Sequence, residues 1–414
     1  MKRICLVTSA HLSYNPRLLK EADALHAAGY QVRVVAVNTD EAKWQYDQSL
    51  MALRSWKLEV VTARRNGAGH GIWRGAALRQ KLSSLLVRGL NTSSLRTRAF
   101  SRYASELARL AKRERADLFI AHNLPALPAA VQAACRWQTK LGYDIEDFQS
   151  GSRRFDAPPT LDDQLAERIE LEFLPRCEHL TAASPGVAEA TIGMGGGRLA
   201  VPVLNVFPLA ERPAVRPVRP EGGPLRLCWF SQVVGTDRGL EDAVRAVGLL
   251  PPGRVELHLR GDCNAAAHRF LDDLIARSGV DQRAVTVHPS VPPQELVALT
   301  AQYDVGLALE APISSNRVIC MNDLCTNKVF TYLLAGIALA ATAVGDEMEV
   351  YDGAGFVYPH GQPDKLAAGL RHWLENPAAL RAAQEKAWVL GGSRFNWDFE
   401  KEKLISAVKS VINV

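Results

Sequence analysis

Two polar segments in the second half of the chain contain the residue types that hold a phosphate group. The segment Asn322–Gly336 has the pattern of a polar loop followed by a short helix, and Lys328 stands where that helix begins. The first turn of a helix has free N–H groups and the positive end of the helix dipole, so it favours an anion. The segment Ser231–Glu241 is a second such turn, with two glycines and the cation Arg238. Together they predict a diphosphate held from two sides.

The elements that must position these residues alternate between short apolar runs and helical spacing. Ile4–Thr8 has the pattern of a buried parallel strand, Pro16–Ala28 that of a helix, and Gln31–Ala36 that of the next strand. This βαβ start predicts parallel sheets with right-handed crossovers. Further strands are predicted at Leu58–Thr62, Leu118–Ala121, Lys140–Asp144, His179–Ala183, Leu225–Phe230, Val255–Arg260, Val285–His288, Val305–Leu309, Ala338–Ala343 and Gly355–Tyr358.

The length of 414 residues exceeds one ordinary core and predicts two domains. The fold class is therefore α/β, with two doubly wound Rossmann-like domains that face each other across a cleft. Residues 1–207 form the first domain, proline-rich residues 208–224 the linker and residues 225–395 the second domain, and a helix at 396–414 returns to the first. Ligands of such folds bind outside the carboxyl ends of the strands. Four polar or glycine residues follow that rule at predicted strand ends: His122, Asp144, Ser231 and Gly261.

Composition excludes several classes of protein. The net charge of +5 is too small to indicate a nucleic acid partner, and no recognised nucleic-acid-binding motif accompanies it. The seven cysteines are scattered, form no Cys-x-x-Cys pair and have no zinc spacing, so they predict reduced thiols in a cytoplasmic protein. No segment has the length of a membrane span or the pattern of a signal peptide, which leaves a soluble or peripheral protein.

Several motifs in this order resemble those of family-4 glycosyltransferases with the two-domain GT-B fold. The resemblance spans nearly the whole chain. Each motif is degenerate alone, but their order and spacing together are specific. The matching segments are Asn15–Ala22, Ala121–Pro125, Tyr143–Asp147, Ser184–Gly186, Gly235–Gly239, Asn327–Gly336 and Phe395–Trp397.

The resemblance implies a nucleoside diphosphate sugar as substrate and no separate cofactor. The residues expected to bind this donor are Ser231, Gln232, Gly235, Arg238, Arg260, Gly261, Asn327, Lys328 and Thr331. Those expected on the acceptor side are His11, Asn15, Arg17, Glu146 and Asp147. No metal is expected, because the chain has no Asp-x-Asp cluster, and a departing diphosphate can instead be stabilised by Arg, Lys and helix N-termini.

The sequence departs from the family pattern at two places. The family's second Glu is replaced by Thr331, and Asp323 stands eight residues before it, near the position of the first Glu. A hydroxyl at 331 would hold ribose hydroxyls more weakly than a carboxylate. The usual Gly-Arg of the phosphate turn is Ser231-Gln232 here, which leaves Arg238 and Lys328 as the main cations for the diphosphate.

The candidate catalytic residues are His122, Asp323 and Glu310. His122 ends a strand and is expected to contact the donor sugar, although a lone histidine is more often structural. Asp323 is expected to steady positive charge at the anomeric carbon or to bind sugar hydroxyls, and its alternative is a helix cap. Glu310 follows the strand Val305–Leu309 and competes for the same task. Glu146 and Asp147 are expected to bind acceptor hydroxyls or serve as a base, and their alternative is a solvated loop.

A basic tract poor in acidic residues extends from Arg64 to Arg115, with apolar groups such as Leu78, Leu82 and Leu85 between the cations. This pattern suits a face that rests on anionic lipid, and it equally suits a solvated helix face over a packed core.

The sequence thus predicts a retaining glycosyltransferase, with a glycan or lipid-linked acceptor and a role in polysaccharide biosynthesis. It is expected in the cytoplasm, either in solution or peripheral on the inner face of the membrane. Two alternatives stay open: a regulatory protein that binds nucleotide sugars with weakened catalysis, and a sugar-nucleotide epimerase. A nicotinamide Rossmann enzyme is disfavoured because the first loop, Ser9–Pro16, lacks Gly-x-Gly-x-x-Gly.

Overall fold

The computed structural model describes residues 1–216, 222–343 and 351–412. The chain forms two compact units, each built on one parallel sheet with helices packed against it. The first unit comprises Met1–Val203 and Lys401–Val414, and the second comprises Leu204–Glu400. Parts of the predicted linker (217–221) and of the predicted last helix (413–414) lie outside the described residues.

The first unit has a seven-stranded sheet with the order β3-β2-β1-β4-β5-β6-β7, and all of its pairings are parallel. Thr8 pairs with His122, and His122 pairs with Asp144, so polar side chains meet where neighbouring strands end. The strands are β1 (Arg3–Thr8), β2 (Gln31–Asn38), β3 (Lys57–Thr62), β4 (Leu118–His122), β5 (Lys140–Ile145), β6 (His179–Ala182) and β7 (Val201–Pro202).

Eight helices connect these strands: α1 (Pro16–Ala27), α2 (Glu41–Met51), α3 (His70–Leu86), α4 (Ser93–Phe100), α5 (Ala104–Ala111), α6 (Leu127–Trp137), α7 (Leu161–Phe173) and α8 (Pro185–Ala190). The start of α1 is specified locally. The side chain of Asn15 accepts a hydrogen bond from the backbone N–H of Leu18 at 2.9 Å, and Pro16 occupies the first helical position, where its missing N–H costs nothing.

The second unit has a six-stranded sheet with the order β10-β9-β8-β11-β12-β13, again parallel throughout. Its strands are β8 (Leu225–Val233), β9 (Val255–Asp262), β10 (Val285–His288), β11 (Val305–Ala308), β12 (Ala338–Ala343) and β13 (Gly355–Pro359). Its helices are α9 (Leu240–Gly248), α10 (Ala265–Arg277), α11 (Pro293–Thr300), α12 (Ser315–Asp323), α13 (Asn327–Ala335), α14 (Pro363–Glu375), α15 (Pro377–Ser393) and α16 (Trp397–Ile412), the last of which ends in the first unit.

The two predicted doubly wound parallel sheets are confirmed, and the structure corrects two local predictions. Ser231 and Gln232 belong to β8 and not to a turn, because β8 continues past Phe230 with one extra residue in a bulge opposite β9. The predicted polar loop before α13 is shorter than expected. Asp323 ends α12, and the next residue, Leu324, has a left-handed backbone (φ 49°) that stops the helix. Among the described residues, no helix combines the length and apolarity that crossing a bilayer requires.

Candidate functional site

Glu310 is the centre of a charge cluster in the second unit. It follows β11, and its side chain is buried. One carboxylate oxygen accepts a hydrogen bond from Lys328 Nζ at 2.7 Å, and the other accepts one from Arg317 Nη1 at 2.6 Å. Its backbone N–H donates to Thr342 Oγ1 at 2.8 Å. Burial alone would raise the pKa of Glu310, but Lys328 and Arg317 outweigh it and hold that pKa below its usual value.

The N-terminus of α13 lies beside this cluster, because Lys328 is the second residue of that helix. Thr326 precedes the helix but gives no side-chain cap, and its buried Oγ1 has no hydrogen-bond partner among the described residues. Asn327, the first helical residue, is exposed. The first N–H groups of α13 therefore lack a side-chain acceptor, and a helix terminus of this kind favours an anion.

The turn between β8 and α9 packs against the same strand end. Gly239 has φ +72°, and a Cβ atom added there would lie 3.0 Å from Leu309 Cβ and 3.6 Å from the backbone nitrogen of Glu310. Glycine therefore allows the turn to approach β11. Arg238, which is half-buried, is close enough for its charge to contribute to the lowered pKa of Glu310. Arg238, Arg317 and Lys328 thus surround one buried carboxylate, whereas Gly235 lies half-buried in the preceding turn.

The ends of β8 and β9 place four more of the residues predicted to bind the donor. Gly261 has φ +155°, and a Cβ atom there would lie 2.5 Å from the carbonyl oxygen of Ser231, so only glycine fits this approach of the two strands. Ser231 is half-buried and Gln232 is exposed. Arg260 Nη1 donates to the carbonyl of Pro289 at 3.0 Å, which fixes the loop after β10.

Thr331 lies within α13 and Asp323 at the end of α12. The Thr331 hydroxyl donates to the carbonyl of Asn327 at 2.7 Å, one turn earlier in α13, and the residue is fully buried. Asp323, at the end of α12, is half-buried. Burial raises the pKa of Tyr351, and the nearby groups of Cys325 and then Asp323 raise it further.

A second charge cluster, in the first unit, joins α1 to β5. Arg17 Nε donates to Asp144 Oδ2 at 2.6 Å, Nη2 donates to Oδ1 at 2.7 Å, and Nη1 donates to the carbonyl of Val203 at 2.7 Å. Thr181 Oγ1 donates to Asp144 Oδ1 at 2.6 Å. Burial would raise the pKa of Asp144, but Arg17 above all lowers it to about 2. Arg17, predicted on the acceptor side, is fully buried and holds Asp144, so it fixes the end of β5 from within the core.

His122 completes this cluster at the end of β4. Its Nε2 lies 3.3 Å from Glu21 Oε2 and its Nδ1 lies 3.5 Å from Asp144 Oδ2. Burial would lower the pKa of His122, but the two carboxylates raise it above its usual value. Glu21, His122 and Asp144 are close enough to share a metal ion. However, the guanidinium of Arg17 already binds both oxygens of Asp144. When His122 is protonated, Arg17 and His122 carry two positive charges and Glu21 and Asp144 carry two negative charges, so the cluster is neutral without a metal.

His11 holds the loop that precedes α1. Its Nε2 accepts a hydrogen bond from the backbone N–H of Thr39 at 2.9 Å, which leaves Nδ1 as the donor to Asp47 Oδ2 at 2.8 Å. The other oxygen of Asp47 accepts from the backbone N–H of Ser13 at 2.8 Å. His11 is buried, so its contacts tie this loop to β2 and α2.

Glu146 and Asp147 follow β5 and are more accessible than this core. Asp147 is exposed and Glu146 is half-buried. Burial raises the pKa of Glu146 to about 7, with Arg17 lowering it and the neighbouring Asp147 and Asp144 raising it further. A carboxyl group with this pKa near neutral pH can accept or release a proton.

The basic tract forms helices α3, α4 and α5, and α3 has an exposed apolar stripe. Leu78, Leu82 and Leu85 recur at helical spacing and are 60%, 50% and 59% exposed. Arg74, Lys81 and Arg88 recur every seven residues beside the stripe and are exposed as well. No Asp or Glu occurs from residue 60 to residue 105.

Sequence reasoning missed several residues of the two clusters. Arg317 has no motif and no periodic signal that links it to Glu310 or Lys328. Glu21 could have been predicted from the sequence, because it lies four residues after Arg17 on the predicted first helix and therefore shares a helix face with it.

Comparison with known proteins identifies the first unit. Residues 14–206 match the family described as "Glycosyl transferase 4-like domain". None of the curated proteins compared with the chain matches it. The family match confirms the predicted resemblance to family-4 glycosyltransferases over these residues.

Solved structures are similar in fold over the whole chain. HepE of Anabaena in complex with UDP is 17% identical, with a TM-score of 0.68, and covers 99% of this chain and 100% of its own. Sucrose-phosphate synthase of Thermosynechococcus elongatus is 14% identical, with a TM-score of 0.72 and 100% of both chains covered. The lipopolysaccharide outer core galactosyltransferase WaaB, in its apo form, is 12% identical, with a TM-score of 0.60 and 99% of both chains covered. These similarities confirm the predicted GT-B fold.

Proposed function

We propose that this glycosyltransferase, whose residues 14–206 are a glycosyl transferase 4-like domain, transfers a sugar from a nucleoside diphosphate donor to a glycan or lipid-linked acceptor. The transfer retains the anomeric configuration and needs no metal. The observation that supports the donor most directly is the cluster of Arg238 and Lys328 around Glu310, next to the uncapped start of α13. UDP-sugars are the first donors to test, because HepE has been solved with UDP and with UDP-glucose.

The charge of this cluster suits the chemistry of the leaving group. When the bond to the sugar breaks, negative charge accumulates on the departing diphosphate. Arg238 can hold two oxygen atoms through its planar guanidinium, and Lys328 acts as a point charge beside the free N–H groups of α13. Because these groups are fixed before the reaction, they stabilise that charge without reorganisation.

The remaining donor residues have supporting parts in this proposal. Gly261 and Ser231 allow β8 and β9 to approach, and Arg260 fixes the loop after β10, where the base would bind. Asn327 is exposed at the start of α13, and its side-chain amide can donate a hydrogen bond to the nucleoside diphosphate sugar. Asp323 remains the candidate for the sugar hydroxyls.

The first unit supplies the acceptor side. Glu146 and Asp147 are its accessible carboxyl groups after β5, and the pKa of about 7 at Glu146 suits a base for an acceptor hydroxyl. His122 and Arg17 are buried, and we propose that they position the end of β5 through Asp144. His11 has the same kind of role for the loop before α1.

We also propose that α3 rests on an anionic membrane surface, at the cytoplasmic face. Its exposed leucine stripe can enter the interface, while Arg74, Lys81 and Arg88 reach the headgroups from one side of the stripe. The absence of acidic residues across this region favours a negatively charged surface. The described cysteines form no disulfide with one another, which agrees with the cytoplasmic side.

A panel of UDP-, GDP- and ADP-sugars tests the reaction. The wild-type protein is incubated with each donor, and free sugar, free nucleotide and interconverted donor are measured. Slow release of sugar and nucleoside diphosphate from one donor, abolished in Lys328→Ala, supports the transferase. Binding without turnover would instead indicate a regulatory protein, and interconversion of the donor would indicate an epimerase.

A further inference from the structure

Arg317 is the cation of the Glu310 cluster to which the sequence gives no role. We propose that Arg317 is a further diphosphate-binding residue, which Glu310 holds in place beside Lys328. This inference rests on the proposed donor and names one more residue that recognises its phosphate groups.

The backbone of Arg317 is fixed independently of any ligand. Arg317 lies in the first turn of α12, and its N–H donates to the side chain of Ser314, the residue that caps this helix, at 3.3 Å. Its guanidinium donates through Nη1 to Glu310 at 2.6 Å. Both ends of the side chain are therefore held, so little rotamer freedom would be lost when a ligand binds.

Most of the donors of this guanidinium remain available. A guanidinium has five N–H donors, and the bond to Glu310 is its sole hydrogen bond within the described part of the chain. The side chain of Arg317 is 31% exposed, against 10% for Lys328. Arg317 is thus anchored on one side and open to solvent on the other, as a ligand-binding arginine needs to be.

Within residues 1–216, 222–343 and 351–412, the cations of this cluster outnumber its carboxylates. Glu310 provides one negative charge, whereas Arg317 and Lys328 both bind it directly and Arg238 adds a third positive charge nearby. One carboxylate needs one cation, so a second hydrogen-bonded cation is more than an ion pair requires. A diphosphate beside Arg317 and Lys328 would supply the missing negative charge and accept the unused N–H donors.

The test measures the affinity of the full-length protein for phosphate-bearing and phosphate-free ligands by titration calorimetry. Inorganic pyrophosphate, UDP, GDP, ADP and the corresponding nucleosides are titrated into wild type, Arg317→Gln and Arg317→Lys. We expect Arg317→Gln to bind pyrophosphate and the preferred nucleoside diphosphate about tenfold or more weakly, as loss of a charge-assisted hydrogen bond implies. Nucleoside affinity should not change, and Arg317→Lys should recover part of the loss.

The matched control is Arg283→Gln, which removes an exposed arginine from the same unit. Equal diphosphate and pyrophosphate affinities in wild type and Arg317→Gln would overturn the role of Arg317 and leave the proposed donor intact. A wild-type protein that binds neither pyrophosphate nor any nucleoside diphosphate would overturn both. If Arg317→Gln fails to fold, Arg317→Lys is the deciding variant. A Lys variant that binds pyrophosphate and the nucleoside diphosphate as tightly as wild type would contradict the proposal. The reason is that an ammonium cannot replace a guanidinium that donates to both Glu310 and a phosphate.

Discussion

Arg17 and Asp144 are 127 residues apart in the sequence and form a bidentate ion pair in the core of the first unit. Both side chains are buried, Thr181 donates a further hydrogen bond to Asp144, and Arg17 donates one to the carbonyl of Val203. The pair joins the first helix to the end of the fifth strand, directly before Glu146. The position of this acidic strand end therefore depends on a contact made by the first helix.

Replacement of Asp144 by Asn should destabilise the protein strongly. The substitution removes the carboxylate that binds the buried guanidinium of Arg17 at two atoms and leaves only Glu21 to oppose its charge. Breaking a buried ion pair typically costs about 3–5 kcal/mol in the free energy of unfolding. Chemical denaturation followed by circular dichroism measures this change. Asp156→Asn is the control, because it breaks the exposed pair with Arg154 and should leave stability unchanged. A similarly small effect at both positions would show that the buried pair does not hold the unit together.

The sequence predicts this part of the fold better than it predicts the charge cluster around Glu310 in the second unit. Apolar runs mark the strands, and polar residues directly after them, such as His122, meet because parallel strands end at one edge. The contact of Glu310 with Arg317 and Lys328 has no such signal, since it depends on how α12 packs beside α13. The burial of Thr331 was also not predictable, because a hydroxyl that bonds to its own helix gives no pattern distinct from one that binds a ligand.

Glu170 should contribute a loss of stability as the pH rises from about 4.5 to about 7. Burial raises the pKa of this carboxyl group from 4.5 to about 7, although the backbone N–H of Ser150 donates to it at 3.2 Å. The folded state therefore binds more protons than the unfolded state between these pH values, so the free energy of unfolding decreases across this window as pH rises. Glu146, whose pKa is also about 7, contributes in the same direction.

The substitution Glu170→Gln should remove this loss. At pH 8 the variant should be more stable than wild type, by up to roughly 3 kcal/mol, while near pH 4 the two should be similar. Denaturation curves at several pH values measure the difference. Asp162→Asn, at an exposed position of the same helix, is the control and should leave the pH profile as it is. A wild-type profile that rises between pH 5 and 8, with no change in Glu170→Gln, would contradict the assignment.

Arg238→Ala and Lys328→Ala should each weaken the binding of the nucleoside diphosphate. A charge-assisted hydrogen bond is worth about 1.5–3 kcal/mol, and each substitution removes one such donor from the diphosphate. Lys328→Ala leaves Glu310 paired with Arg317, so the variant should still fold, which its thermal unfolding midpoint can show. Arg269→Ala, on the exposed face of α10, is the control. Unchanged calorimetric affinity in both variants would mean that the diphosphate binds elsewhere.

The exposed leucine stripe of α3 should determine whether the protein binds membranes. We expect wild type to sediment with vesicles that contain phosphatidylglycerol and to bind phosphatidylcholine vesicles much less. Replacing Leu78, Leu82 and Leu85 together by Ser should abolish sedimentation without loss of stability, because these side chains are at least half exposed. The single variant Leu53→Ser, at another exposed leucine, should bind as wild type does.

Replacing the basic residues beside this stripe tests the electrostatic part of the same contact. Arg74, Lys81 and Arg88 should each contribute about 1 kcal/mol of binding to an anionic surface, so the triple Gln variant should lose most of its affinity. The loss should shrink at high salt, where wild-type binding is itself screened. If wild type does not sediment with anionic vesicles at low salt, or if the leucine and basic variants bind as well as wild type, the stripe is an ordinary solvated surface and the acceptor reaches the enzyme from solution.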